Sequence, residues 1–145
     1  LMFSHAKYGD LQTTHLEPIR VSELFAQSPA QVKVVVKEDF TLQTDKDLLN
    51  IAVNNLVNNA LKFANGKPVE VLIDKPHIRI VDHGIGIPST DLPHVFEPFF
   101  RAKNTRSIKG HGVGLALSKA IIEKMGGKIS VHSIEGQGTT LDIKG

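Results

Sequence analysis

The sequence predicts an α+β fold, a two-layer α/β sandwich in which a mixed sheet carries its helices on one face. Three observations point there. The run Gln31 to Phe40 holds Val32, Val34, Val35 and Val36, and four later stretches alternate apolar and polar residues as strands do. Two segments, Leu48 to Phe63 and Val113 to Met125, repeat apolar residues at helical spacing. Glycine clusters punctuate the chain between these elements. With 145 residues and 41% apolar composition, the chain is long enough to bury one core.

The elements are expected in this order. Leu1 to Gln12 reads as the end of a helix running into a loop around His15 and Pro18. Val21 to Gln27 is a short helix with Ser22 as its N-cap. Gln31 to Phe40 is a strand, and Thr44 or Asp45 caps the asparagine-rich helix that follows. Val69 to Ile73 and His77 to Val81 are strands joined tightly at Asp74-Lys75-Pro76. Thr90 to Phe96 is a short helix, and Arg101 to Gly110 is a loop without apolar period. The helix Val113 to Met125 stops at Gly126-Gly127. Lys128 to His132 and Thr139 to Ile143 close the sheet across a Gly136-Gln137-Gly138 turn.

Bulk properties narrow the function. The net charge of +2 is too small to mark nucleic acid as a main partner. Without cysteine, neither a disulfide nor a thiolate metal site is available, which suits a reducing compartment. No apolar run approaches the ~20 residues of a membrane helix, so no membrane contact is expected of this stretch. Leu1 in place of an initiator methionine reads as a piece of a longer chain.

The chemistry sits in four ordered signals: the asparagine-rich helix Leu48 to Phe63, then DHGIGI (Asp82 to Ile87), GHGVGLAL (Gly110 to Leu117) and GQGTT (Gly136 to Thr140). On the helix LLNIAVNNLVNNALKF, Asn55, Asn58, Asn59 and Lys62 share one face, opposite the stripe Leu49, Ala52, Val53, Leu56, Ala60 and Phe63. Asparagine is a mediocre helix former, so its clustering asks for a reason. A solvated face is one. A row of amide oxygens holding hydrated Mg²⁺ against phosphates is another, with Lys62 adding positive charge. In DHGIGI, the strand ending at Val81 delivers Asp82, and Gly84 and Gly86 turn the backbone sharply, leaving room for a flat ring. A buried carboxylate there accepts from an exocyclic amine, which suits adenine and not guanine. GHGVGLAL opens the second helix with Gly110, Gly112 and Gly114, whose free N–H groups form a phosphate cradle. It is neither a P-loop nor a dinucleotide fingerprint, lacking the Gly-Lys-Ser/Thr closure and a leading strand. Between these lies FEPFFRAKNTRSIKG. Arg101, Lys103, Arg106 and Lys109 make its loop basic beside the anchors Phe96, Phe99 and Phe100, as a lid over phosphates would be. One Gly-x-Gly is weak evidence; four such elements in fixed order are an ATP site. His83 and His111 fall inside the glycine signals, and no His, Ser or Asp constellation for nucleophilic catalysis is legible.

At these residues the chain resembles the catalytic ATP-binding domain of sensor histidine kinases, in the superfamily that also holds gyrase, Hsp90 and MutL. NLVNNALKF (Asn55 to Phe63) resembles the N box, DHGIGI the G1 box, FEPFF the F box, and GHGVGLAL and GQGTT the G2 and G3 boxes. The resemblance runs from about Asp45 to the C-terminus. It implies a Bergerat-type sandwich with ATP between the N-box helix and the lid. It implies that Asn59 with Asn55 holds Mg²⁺, that Asp82 reads the adenine amine, and that Phe63, Gly84, Gly86 and Ile87 shape the adenine pocket. Thr139 closes its far side, while Gly110, His111, Gly112, Val113, Gly114 and Leu115 line the phosphate side. Arg101 supplies lid charge. Residues 1–20 are similar to the end of a dimerisation helix and its linker, leaving 21–145 as the catalytic domain.

Two departures sharpen the expectation. The family's phosphoacceptor is a histidine followed by Glu or Asp, and no histidine in this chain is followed by either. The acceptor helix is then a partner to be supplied, with a response regulator receiver domain downstream and a cytoplasmic setting in a membrane-anchored sensor. The hydrolysing relatives carry a water-activating Glu one turn before the metal-binding Asn. Here that position is Asn55, which is no general base near neutral pH. Phosphoryl transfer is favoured over hydrolysis. The rival readings are a non-catalytic ATP-sensing module that acts by lid ordering, and an anti-sigma-factor-type serine kinase.

Overall fold

The computed structural model describes residues 15–98 and 113–145. Five strands form the main sheet in the order β2-β4-β5-β7-β6. They are β2 (Val32–Glu38), β4 (Val69–Asp74), β5 (His77–Asp82), β6 (Lys128–Ile134) and β7 (Gly138–Lys144). Only β2 and β4 run parallel; the other neighbours are antiparallel. A separate two-stranded sheet pairs β1 (Glu17–Arg20) with β3 (Thr41–Thr44). Two helices, α1 (Lys46–Phe63) and α2 (Val113–Lys124), pack against each other and against the main sheet. The predicted α+β sandwich with a mixed sheet is the observed architecture.

Alternation along the strands decides which face is covered. Val69, Val71 and Ile73 on β4, Ile78 and Ile80 on β5, and Leu141 and Ile143 on β7 are all buried. Their neighbours project to the other face, where Asp142 meets His77 at 2.9 Å and Arg79 at 3.6 Å. Helix α1 answers with Leu49, Ala52, Val53, Leu56, Val57 and Ala60, and α2 with Ala116, Leu117, Ile121 and Ile122. The two helices are also joined by a fully buried hydroxyl. Ser118 Oγ donates to the Ala52 carbonyl at 2.9 Å.

Local chemistry sets the helix ends. Asp45, 5% exposed, caps α1 by accepting from the Asp47 and Leu48 N–H groups at 3.1 and 3.2 Å. Helix α2 is stopped just before Gly126, whose φ of +88° favours glycine, and Gly127 N donates back to the Ile122 carbonyl at 2.9 Å.

The N-terminal part departs from the sequence reading. The expected loop around Pro18 is strand β1, held by pairing with Thr41–Thr44 and burying Ile19. The expected helix from Val21 is a short 3-10 turn, Val21–Phe25, preceded by Arg20 and without a side-chain cap. Ser22 instead binds Asp39, through its N–H at 3.1 Å and its hydroxyl at 2.5 Å. Burial disfavours charge on Asp39, but these bonds, the Phe40 N–H and the Arg20 charge outweigh it. They hold the carboxyl below the usual range. The helix expected over Thr90 to Phe96 is a single 3-10 turn, Leu92–His94.

Candidate site at the end of the sheet

The centre of the site is the C-terminal end of β5. The strand's inward alternation, Ile78 then Ile80, continues to Asp82, so the carboxylate enters on the same buried face. Asp82 is 6% exposed and lies opposite Thr139 on β7. Its Oδ1 accepts from Gly84 N at 2.9 Å, and the Thr139 N–H donates to the carboxyl as well. Burial pushes its pKa up from the usual 3.8. The two backbone donors and the charge of His83 oppose that rise without cancelling it.

The loop after Asp82 is clasped from two sides. On one, Ile85 N donates to the Phe63 carbonyl at the end of α1, at 3.1 Å. A Cβ on Gly84 would overlap that same carbonyl oxygen. On the other, Gly136 N donates to the Ile85 carbonyl at 2.7 Å, and Ile87 N donates to Ser133 Oγ at 2.8 Å. Gly86 has φ +67°, and its Cβ would overlap the Ile134 carbonyl oxygen. The sequence reading gave these glycines the task of admitting a flat ring. Their missing side chains point into the protein's own backbone, so packing of the loop already demands them.

Across the end of the sheet, α1 presents the asparagine face. Asn55 and Asn59 are half-buried, and Asn58 and Lys62 are exposed. The side-chain amides of Asn55 and Asn59 make no hydrogen bond to the described residues. Phe63 was expected in the buried stripe but is half-buried, with the Lys62 ammonium 5.9 Å from its ring centre. At about 100° per residue Phe63 still falls between Ala52 and Leu56 on the stripe, but it is the last residue of α1, where the helix ends. Val57 fills the stripe instead. Among the described residues, no three His, Cys, Asp or Glu side chains gather to hold a metal.

Of the other expected residues, Thr139 lies opposite Asp82 on β7. Leu115 is half-buried in the first turn of α2 against the core. Val113 and Gly114 open that helix. Arg101, Gly110, His111 and Gly112 lie outside the described residues, as do Phe99, Phe100 and the basic residues Lys103, Arg106 and Lys109. Sequence reasoning missed Ser133, whose hydroxyl joins Ile87, Gly138 and Thr139. A single serine in an alternating strand carries no signal of its own, but pairing the last two strands across their glycine turn places it opposite Thr139. A cavity of about 230 Å³ also lies at this end of the sheet, lined by Asp82, Ser133 and Thr139 together with Val81, His132 and Thr140, and by no residue of α1.

A buried carboxylate at a strand end and an amide-bearing helix across from it suit a nucleotide-binding domain. The family described as histidine kinase-, DNA gyrase B- and HSP90-like ATPase matches residues 44–144, and the chain belongs to it. It is thus an ATP-binding domain of the histidine kinase type. The sensor protein kinase WalK of Staphylococcus haemolyticus is 36% identical over 130 residues, covering 83% of this chain and 21% of that protein. A WalK of Staphylococcus aureus is 35% identical, with 83% of this chain and 31% of that protein covered. The chain therefore spans between about a fifth and a third of these relatives. Among solved structures, the mycobacterial sensor histidine kinase MprB is 31% identical with a TM-score of 0.73, covering 88% of this chain and 95% of that one. Full-length ShkA in complex with AMPPNP shares the fold, at 24% identity and a TM-score of 0.76, over 95% of this chain and 32% of that one. Among the described residues, no helix is long and apolar enough to cross a membrane.

Proposed function

We propose that this chain is the catalytic domain of a sensor histidine kinase, binding Mg-ATP and offering its γ-phosphate to a histidine on a dimerisation helix. The observation that carries the reading is Asp82, a buried carboxylate fixed by two backbone donors at a strand end that faces α1. Such a group accepts from the adenine amine and repels the O6 of guanine. Phe63 borders the ring, Ile87 and Thr139 close the pocket, and Gly84 and Gly86 hold its floor in place.

The asparagines fit Mg²⁺. Amide oxygens suit a hard ion, and the half-buried Asn55 and Asn59 lie one helical turn apart with no competing partner among the described residues. With so few protein oxygens, phosphate and water would complete the shell. Mg²⁺ bound there would neutralise charge developing on the phosphates during transfer. The basic stretch from Arg101 and the glycines 110, 112 and 114 complete the phosphate side in this proposal, with Lys62 near the chain's outer end. Asn55 stands where a hydrolase of the family needs a carboxylate base. That favours transfer to a protein histidine over transfer to water. In this reading residues 1–20 connect to the dimerisation helices, the whole protein is a membrane-anchored sensor whose catalytic part is cytoplasmic, and a receiver domain takes the phosphate onward.

The test is labelling. The protein is incubated with Mg²⁺, γ-labelled ATP and the dimerisation helices of its parent protein. Acid-labile, base-stable label on the helices is the expected result. ATP binding without any transferred label would favour the non-catalytic sensing reading instead.

A further inference from the structure

The hydroxyl of Ser133 is the point where both turns of the candidate adenine pocket meet. It lies on β6 directly opposite Thr139, is half-buried, and makes three hydrogen bonds. Its single hydrogen goes to the Gly138 carbonyl at 2.9 Å. It accepts from Ile87 N, the last residue of the loop that follows Asp82, at 2.8 Å. The Thr139 hydroxyl is also 2.8 Å away. A serine hydroxyl has one hydrogen to give. With that hydrogen committed to Gly138, the Ser133–Thr139 contact is satisfied only if Thr139 donates.

The Thr139 hydroxyl, having given up its hydrogen, offers only lone pairs to anything else that approaches. Asp82, its partner across the β5–β7 ladder, is likewise an acceptor when ionised. We infer that Ser133 is a positioning residue for nucleotide selection: it ties the Asp82–Ile87 loop to the β6–β7 hairpin and makes Thr139 an acceptor, so that this end of the pocket selects a base with an amine rather than a carbonyl at its six-position. The inference rests on the nucleotide-binding reading above. It adds a residue that contacts no nucleotide itself and acts through Thr139 and Ile87.

Without Ser133 Oγ, the Thr139 hydrogen is free to turn toward a ligand carbonyl, and Ile87 N loses its partner. Adenine should lose affinity while guanine, with its O6, gains a donor. The triphosphate end of the site is untouched.

The test uses Ser133→Ala and Ser133→Thr beside the wild-type chain, titrated calorimetrically with ADP, GDP and inorganic tripolyphosphate, each with Mg²⁺. For Ser133→Ala, ADP affinity is expected to fall roughly three- to tenfold, the loss of about one net hydrogen bond. The preference for ADP over GDP should narrow, tripolyphosphate binding should hold, and Ser133→Thr should restore ADP binding. Unchanged ADP affinity in Ser133→Ala would overturn the inference. So would an equal loss for ADP and tripolyphosphate, or a Ser133→Thr variant as weak as Ser133→Ala, since both describe general loosening. A wild-type chain that binds none of the three would instead strike at the nucleotide-binding reading, and this inference would go with it.

Discussion

The loop Asp82–Ile87 and the asparagine face of α1 flank the same site but are held in opposite ways. In the loop nearly every group has a partner inside the protein. Asp82 takes two backbone N–H donors, Ile85 bonds to both α1 and the hairpin turn, and Gly84 and Gly86 are jammed against backbone. On α1, Asn55 and Asn59 have half-exposed amides without a hydrogen-bond partner among the described residues, while the stripe behind them does the packing. The loop's sequence is therefore dictated by folding and ligand together. In the proposed reading the asparagines answer to the ligand alone. Substitutions at Gly84 and Gly86 should confuse stability with binding; substitutions on α1 should separate them.

The largest expected break is Gly84→Ala. Its methyl would collide with the Phe63 carbonyl and Ala64 Cα, so either the loop or the end of α1 must move. Overpacking of this kind costs on the order of 3 kcal/mol, a fall of roughly 10 °C in melting temperature. Nucleotide binding should be lost with it. A normal melting curve in this variant would mean that the loop is not clasped as described.

Asp82→Asn comes next and separates the two roles of that residue. Removing a charge-assisted hydrogen bond should cost about 1.5–3 kcal/mol of ADP affinity, roughly ten- to a hundredfold. Stability should not fall in parallel. Because burial raises the folded-state pKa of Asp82 above 3.8, the folded chain binds that proton more tightly than the unfolded one. Its contribution to stability declines as pH rises from the ordinary value through the raised one, and the penalty is complete above it. The substitution removes that penalty at neutral pH. In the wild type, ADP affinity should weaken as pH falls through the same window, since a protonated Asp82 no longer accepts on both oxygens. A pH slope of equal size in Asp82→Asn would assign the titration to another group.

The smallest effect sharpens the description of α1. Asp45→Ala removes the N-cap of the helix that carries the asparagines and should cost about 1 kcal/mol by urea melts, leaving nucleotide affinity near wild type. A loss of affinity much larger than the loss of stability would show that the cap end also shapes the site.

These contrasts explain what could be read from the chain. Strands β4 to β7 and both helices were legible because one face of each is buried, and burial writes a period into the sequence. Strand β1 was not. Glu17-Pro18-Ile19-Arg20 holds one buried apolar residue, and its conformation comes from pairing with Thr41–Thr44, more than twenty residues later. Ser22 looked like a helix cap because serine often is one, but Asp39 competes for it from a distant turn. In the site, the positions of Asp82, Gly84 and Gly86 were legible as a motif. The reason for the glycines was not, because the Phe63 and Ile134 carbonyls that exclude a Cβ arrive from separate elements. Ser133 escaped for the same reason: its meaning lies in three partners, two of them a turn away and one across the sheet.

The central claim is that α1 offers its asparagines to a metal-bound nucleotide whose base is read by Asp82. A calorimetric titration with a non-hydrolysable ATP analogue, with and without Mg²⁺, on wild type and Asn59→Ala tests it most directly. Micromolar binding by the wild type, weakened in Asn59→Ala only when Mg²⁺ is present, is the result this account predicts. An equal affinity in both proteins with Mg²⁺, or no binding by the wild type under either condition, would contradict it.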